Sequence, residues 1–537
     1  MNRSLSWVVA VAVTALLAAA CGGSSGGGSS SAGGGSSVSN GPAKAGGTLT
    51  VALAEDPDLL DPTQARTFVG RIVFANMCEK LYDVNAKLQI VPQLAASLPK
   101  ITDGGKTVTI KLRTGLKFND GTTLDADAVK TSLDRHRTLK TSSRASELEP
   151  VTSVKVVDPS TVQLKLSGPY APLTAQLADR SGMIMSPAQL KKLGDKFGND
   201  PVCVGPFQFV SRSEGNQIVL KKAPDYYDAS KVKLDRIVFK IIDEPSARAA
   251  NLRSGDVNVA ERLDPISAKT VSSDPNLSLV DVTSLGYQGL TINVGNKNGL
   301  GKPMVQLSTP LAQHPELRQA LSLSLDRNTI NKVVFQGKYT PGCGPISPVS
   351  PFFDKSVKCP ARDVAKAKQL VAKSGVKPPI PVKIMLNTDA VTLRLGQVIQ
   401  SMAKDAGFAV KLQPTEFTTA LDNADAGNYD VFQIGWSGRI DPDGNIQQFV
   451  GKTGSQNDAG FADPKVDALL DKARTTLDQG ARIKLYDQVN QILNQEAPLI
   501  YLYHDHYFTG VQKKVTGLQF FGDGLLRFKE AGFTSGT

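Results

Sequence analysis

Histidine is scarce in this chain, with four among 537 residues, and tryptophan is scarcer still, with two. Protein-held metals usually draw on imidazoles or on closely spaced thiolates. None of the five cysteines, at positions 21, 78, 203, 343 and 359, stands within two to four residues of another. A structural zinc site is therefore not expected, and no metal or cofactor is expected elsewhere. Past the first twenty residues no apolar run approaches the roughly 20 residues of a membrane-spanning helix, so the body reads as soluble. Blocks of like charge are missing too. The 61 Lys+Arg and 50 Asp+Glu give +11, spread along the chain. With no basic–aromatic motif, that excess suits a solvated surface beside an anionic membrane and argues against a nucleic-acid partner. There is no internal repeat at the period of solenoids or propellers.

Catalytic signatures fail one by one. Gly295–Lys302 has the look of a phosphate loop, but Asn296 replaces its first glycine and Pro303 its magnesium-binding hydroxyl. Asp441, Asp443 and Asn445 open like a calcium loop, but Ile446 and Lys452 stand where Gly and Glu are needed. Gly435-Trp436-Ser437-Gly438 closes one residue early for a nucleophile elbow. His504 and His506 would share one face of a strand as a metal pair, yet no carboxylate cluster stands near them in sequence. The chain reads as a non-enzyme.

What is present begins with Arg3, an apolar run from Trp7 to Ala20, and then Cys21. A basic start, a short apolar run and small residues before a cut mark a secretory signal over 1–20. The run is about 14 residues, too short to anchor as a helix. Cys21 at the cut resembles the lipidated cysteine of a bacterial lipobox, although Ala18 stands where Leu is usual. The Gly/Ser-rich stretch that follows reads as a tether over 21–46.

About 490 residues remain, more than one core usually holds, so two or three domains are expected. The first strand is expected over Thr48–Leu53 and a helix over Phe68–Tyr82. A hairpin turns at Pro159-Ser160. In the second half, Val382–Leu386, Leu393–Ala406 and Phe408–Gln413 form a βαβ unit, which implies a parallel pair with a right-handed crossover. Helices follow from Asp463-Pro464 and after Gly480, and Leu499–Tyr503 returns as a strand. Four cysteines of an exported body allow three disulfide pairings. Cys343 and Cys359, flanking the loop Pro345–Lys358, are the favoured pair, and Cys78 with Cys203 follows by elimination.

Several segments in order carry a family resemblance. They are Pro57-Asp58-Leu59-Leu60-Asp61-Pro62, Cys78-Glu79-Lys80-Leu81-Tyr82, Val91-Pro92-Gln93-Leu94-Ala95 and Leu112–Gly121. Val204-Gly205-Pro206-Phe207, Arg318-Gln319-Ala320-Leu321, Asp441-Pro442 and Arg482 with Leu485-Tyr486 continue the series. Together they resemble the extracellular solute-binding family 5 of ABC importers, the peptide/nickel type. The resemblance implies an α/β, two-lobed Venus-flytrap fold of the large type, with an extra domain inserted in the first lobe. Its expected division is 47–80, 204–290 and 500–537 for lobe I, 81–203 for the inserted domain, and 291–499 for lobe II. It also implies capture of a peptide or peptide-like solute by a monomer, and delivery to the transmembrane subunits of an ABC permease. The location would be extracytoplasmic, lipid-anchored on the outer face of the membrane.

In many members an Asp three residues after a Trp holds the peptide amine; after Trp436 that position is Arg439. A guanidinium suits a carboxylate or phosphate instead. Two roles for Arg439 stand side by side: a cleft anchor for an anionic group, or a structural pair with Asp441 or Asp443. Asp441 is the substitute amine anchor, and Trp436 a stacking surface. Tyr287, Asn293, Arg66 and Phe68 are further cleft candidates. The competing cargo is an anionic opine or nickel chelate. An exported hydrolase and a surface adhesin are the readings from other classes.

Overall fold

The structure is a computed structural model in which residues 35–534 are described. The leader, Cys21 and the first part of the tether lie outside the described residues. The remainder of the expected tether is built into the fold. Gly35–Val38 pairs antiparallel with Leu518–Phe521, and the Asn40 amide donates to the Lys513 and Val515 carbonyls. Main-chain pairing needs no side chain, so a Gly/Ser composition does not prevent it.

Two large sheets carry the molecule. The first runs, in spatial order, Leu277–Thr283, His506–Gln512, Val259–Leu263, Thr48–Leu53, Arg236–Ile241, Gln217–Lys222, Phe207–Ser213. The second runs Thr340–Pro341, Leu499–His504, Tyr287–Ile292, Val431–Trp436, Ile380–Leu386, Phe408–Pro414. Ile380–Leu386 and Phe408–Pro414 pair in parallel around the helix Ala390–Lys404, the expected βαβ unit. That helix starts three residues before the expected Leu393. Asp389 accepts from the Val391 and Thr392 amides and caps it there.

Two short passages join the sheets. One is Ser284–Gly286, between Leu277–Thr283 and Tyr287–Ile292; the other is Asp505. They are tied together, because the Ser284 amide donates to the Asp505 carbonyl at 2.9 Å and its hydroxyl to the carboxylate at 2.6 Å. The chain thus passes from one large sheet to the other at residues 284–286 and 505. Tyr287–Ile292 and Leu499–His504 pair with each other inside the second sheet.

A four-stranded sheet, Lys100–Thr102, Thr107–Lys111, Thr161–Leu166, Val151–Asp158, makes up the inserted part of the first lobe. The expected helix Phe68–Tyr82 stops at Met77, because the chain becomes extended at Cys78 to enter this insertion. The Cys78–Cys203 disulfide closes its neck, and beside it the Glu79 amide donates to the Val204 carbonyl at 2.7 Å. Gly205 sits so close that a Cβ would lie 2.3 Å from the Met77 carbonyl oxygen, so only glycine fits. The second disulfide is Cys343–Cys359.

Candidate functional site

Val431–Trp436 ends where the second lobe faces the first. The turn after it, Ser437–Arg439, rests on the passage between lobes. A Cβ at Gly438 would meet the Leu285 carbonyl carbon at 2.3 Å, and Gly438 has φ +81°. Asn445 latches the turn. Its side-chain oxygen accepts from the Trp436 indole at 3.1 Å and from the Arg439 amide at 2.6 Å, and its NH2 donates to the Arg439 carbonyl at 2.8 Å.

Arg439 lies with its guanidinium 4.3 Å from the centre of the Trp436 ring. The expected structural partners are taken by others. Both oxygens of Asp441 accept from Arg482, at 2.7 and 2.6 Å, and both of Asp443 from Arg474, at 2.7 and 3.2 Å. Arg439 turns to the first lobe, where its Nε stands 2.9 Å from the Asp179 carboxylate. Arg71, on the helix Phe68–Met77, reaches the same carboxylate at 3.2 Å. Burial alone would raise the pKa of Asp179. Arg71, then Arg439, Arg180 and Arg144, hold it well below the usual carboxylate range.

Arg180 and Arg144 complete the cluster. Arg180, 1% exposed, donates to the Ala65 carbonyl at 2.7 Å. Arg144, 4% exposed, pairs with Glu147, which also accepts from the Ser181 hydroxyl. Among the described residues, Arg71 Nη1, Arg144 Nε and Arg180 Nε have no hydrogen-bond partner. Arg71 and Arg439, with Gln176, Asp179, Asp441 and Asp523, line a small recess that is partly open to solvent; Arg144 and Arg180 lie behind its wall.

Other contacts join the lobes around this centre. The Tyr507 hydroxyl donates to the Ser437 carbonyl at 3.2 Å. The Ala171 amide donates to the Arg474 carbonyl at 2.8 Å. Arg66, exposed at the first strand-to-helix connection, stands 3.9 Å from Asp425 of the second lobe. Phe68 stacks on Tyr507, ring centres 5.3 Å apart, with Arg262 over its ring. Tyr287 is buried edge-on to Tyr501 and Phe449, and its hydroxyl has no partner among the described residues. Asn293 is fully buried and donates its amide to the Gly427 and Tyr429 carbonyls. His504 and His506 serve the crossing. The first bonds the Gly286 carbonyl at 2.6 Å, and the second pairs with Asp281 at 2.6 Å. Among the described residues no three His, Cys, Asp or Glu side chains are grouped to hold a metal.

Arg71, Arg144, Asp179 and Arg180 were not singled out in the sequence. One signal for Arg71 was present: a lone cation among the apolar residues of Phe68–Met77. The Asp179–Arg180 step carries no pattern, since its partners lie about a hundred or more residues away in the chain.

Asp458 carries a separate charge anomaly. Burial, with Asp425 adding to it, raises its carboxyl to about 7, and its Oδ1 has no partner among the described residues. A carboxyl raised in the folded state gives stability that is complete below pH 4 and lost as pH rises through 7. Asp458→Asn is expected to remove this dependence, gaining about 2 kcal/mol over the parent at pH 8 relative to pH 5. Denaturant unfolding of both proteins at the two pH values measures it; equal gains at both would refute it.

Residues 89–457 match the family described as bacterial extracellular solute-binding proteins, family 5. The chain belongs to that family. As a solute-binding protein it is part of a transport system and not an enzyme. It is 28% identical over 512 residues to the glutathione-binding protein GsiB of Pectobacterium atrosepticum, a match covering 92% of this chain and 95% of the relative. The binding protein AgaA of A. tumefaciens R10, solved with agropinic acid, superposes with a TM-score of 0.78 at 28% identity, over 91% of this chain and 99% of AgaA. DppA from Helicobacter pylori, solved with the peptide STSA, superposes at 0.81 with 23% identity, over 91% of this chain and 98% of DppA, and shows the shared two-lobed fold. No helix among the described residues of this solute-binding protein is long and apolar enough to cross a membrane.

Proposed function

We propose that this solute-binding protein captures a peptide or peptide-like solute between its lobes by hinge closure and hands it to the permease of an ABC importer. The observation that carries this reading is how the lobes meet. They are joined by two short passages, while side chains reach across from both sides, Arg439 to Asp179 beside a small recess and Tyr507 to the Ser437 carbonyl. A body built on a thin hinge with contacts across its mouth is suited to opening and closing on a ligand. The curated relative binds glutathione, itself a peptide, which supports a small peptide-like cargo. Cys21, at the end of a short apolar leader, is the lipidated residue that holds the protein to the outer face of the membrane, as a monomer.

A second reading, an anionic opine or chelate, is favoured by the arginines that crowd the cleft and by the agropinic acid held in AgaA. Native mass spectrometry of protein purified from an oxidising compartment, followed by denaturation to release bound solute, separates the two. Peptides or amino-acid conjugates are the expected recovery. A non-peptide anion would replace the first reading with the second.

A further inference from the structure

The loop at 342–363 links Thr340–Pro341 to the helix Val364–Lys373, and it touches both passages between the two large sheets. The Cys343–Cys359 disulfide closes most of it into a ring. One side of the ring is seated on the second lobe. Phe352 is buried edge-on to Tyr486, ring centres 6.4 Å apart, with the Arg482 guanidinium 5.1 Å from the centre of its ring. Gln479, at the start of the helix Gln479–Glu496, donates to the Pro351 carbonyl at 2.9 Å. The other side reaches away from that seat. The hydroxyl of the buried Ser347 donates to the Ser284 carbonyl at 2.5 Å, inside the first passage. Val349, half-buried, packs in an apolar cluster with Val84, Leu88, Leu285 and Phe521. Leu285 belongs to the passage, Val84 and Leu88 to the hairpin Tyr82–Val84 and Ile90–Pro92 of the first lobe, and Phe521 to the strand that pairs with Gly35–Val38. Just before the ring, the Thr340 hydroxyl stands 3.0 Å from His506 Nε2, so the second sheet is bonded to the first across Asp505.

We infer that this disulfide-closed loop is a clasp on the hinge, with Ser347 and Val349 as positioning residues that bias the lobes toward the arrangement described above. Rotation about two passages leaves atoms in the passages nearly in place and displaces those outside them. Ser347 bonds within a passage and so holds the ring at the pivot. Val349 meets side chains of the first lobe, which shift relative to the ring when the lobes turn. A contact made in one arrangement and lost in the other favours the first by its differential worth. A slack loop would follow the first lobe and keep the contact in both arrangements. The link between Cys343 and Cys359, 16 residues apart, and the seat of Phe352 on Tyr486 remove that slack. This inference rests on the lobes turning about the two passages.

The test uses the full-length protein, stripped of solute by unfolding and refolding with its disulfides intact. Nitroxides are attached through p-acetylphenylalanine at the exposed positions of Lys221, on the first sheet, and Lys411, on the second. Pulsed electron paramagnetic resonance then reads the distance between lobes without any added solute. Val349→Ser is expected to raise the fraction of molecules at the longer, open distance at least about threefold, the scale of losing half the burial of a valine. Ser347→Ala is expected to act in the same direction, and so is Cys343→Ser combined with Cys359→Ser. Val349→Ile, which keeps the apolar contact, is expected to follow the parent. A residue that only held the loop in shape would alter thermal stability and leave the distance between lobes alone. A distance distribution unchanged by Val349→Ser would overturn the clasp; should that protein fail to fold, Ser347→Ala and the paired serine variant decide in its place. Hinge closure itself is judged separately, on the parent alone, by adding back the small-molecule fraction it releases on unfolding.

Discussion

Asp441→Ala is expected to destabilise the protein by about 3–5 kcal/mol, whatever the cargo. Asp441 is 5% exposed and receives both nitrogens of Arg482, which is 4% exposed. Arg482 also donates to the Tyr486 hydroxyl at 2.8 Å. Removing the carboxylate would leave a guanidinium buried with no counter-charge. Asp441→Leu combined with Arg482→Met is expected to recover most of the loss, because well-packed apolar replacements of a buried pair are close to neutral. Denaturant unfolding of the single and double variants measures both effects. An amine anchor would behave differently, losing ligand affinity with stability intact.

Losing the Cys78–Cys203 disulfide is the second large effect. The two cysteines are 125 residues apart, and the chain-entropy account assigns a cross-link of that span about 5 kcal/mol. Cys343 and Cys359, 16 apart, are assigned about 3 kcal/mol. The larger effect falls at the neck of the inserted domain, so Cys78→Ser with Cys203→Ser is expected to expose that neck to proteolysis first. Limited proteolysis with the fragments sized by mass spectrometry checks this. Cleavage beginning in the Cys343–Cys359 loop would contradict it.

The local elements were readable wherever periodicity and caps coincide. Thr48–Leu53, the hairpin at Pro159-Ser160 and the βαβ unit around Ala390–Lys404 are such places. Asp463 caps its helix as the cap-then-proline pattern requires. The centre of the cleft was half legible. Trp436 and Arg439 stand out through a departure from a family pattern, but Arg439's partner did not. Ion pairs between lobes join residues whose sequence neighbourhoods share no pattern. Asp441, expected as a substitute amine anchor, accepts from Arg482, which also donates to Tyr486. The separate "DP" and "R…ly" motifs are one buried cluster, and only the fold brings them within hydrogen-bond distance. The end of the Gly/Ser stretch gives no strand signal for a similar reason, since its backbone finds partners more than 470 residues away.

Small-angle scattering of the solute-stripped protein, before and after adding back the solute released from it, tests the central claim most directly. Closure of two lobes on a ligand predicts a smaller radius of gyration with solute than without, reversed when the solute is removed again. An unchanged radius, with solute bound as shown by calorimetry on the same samples, would contradict capture by hinge closure.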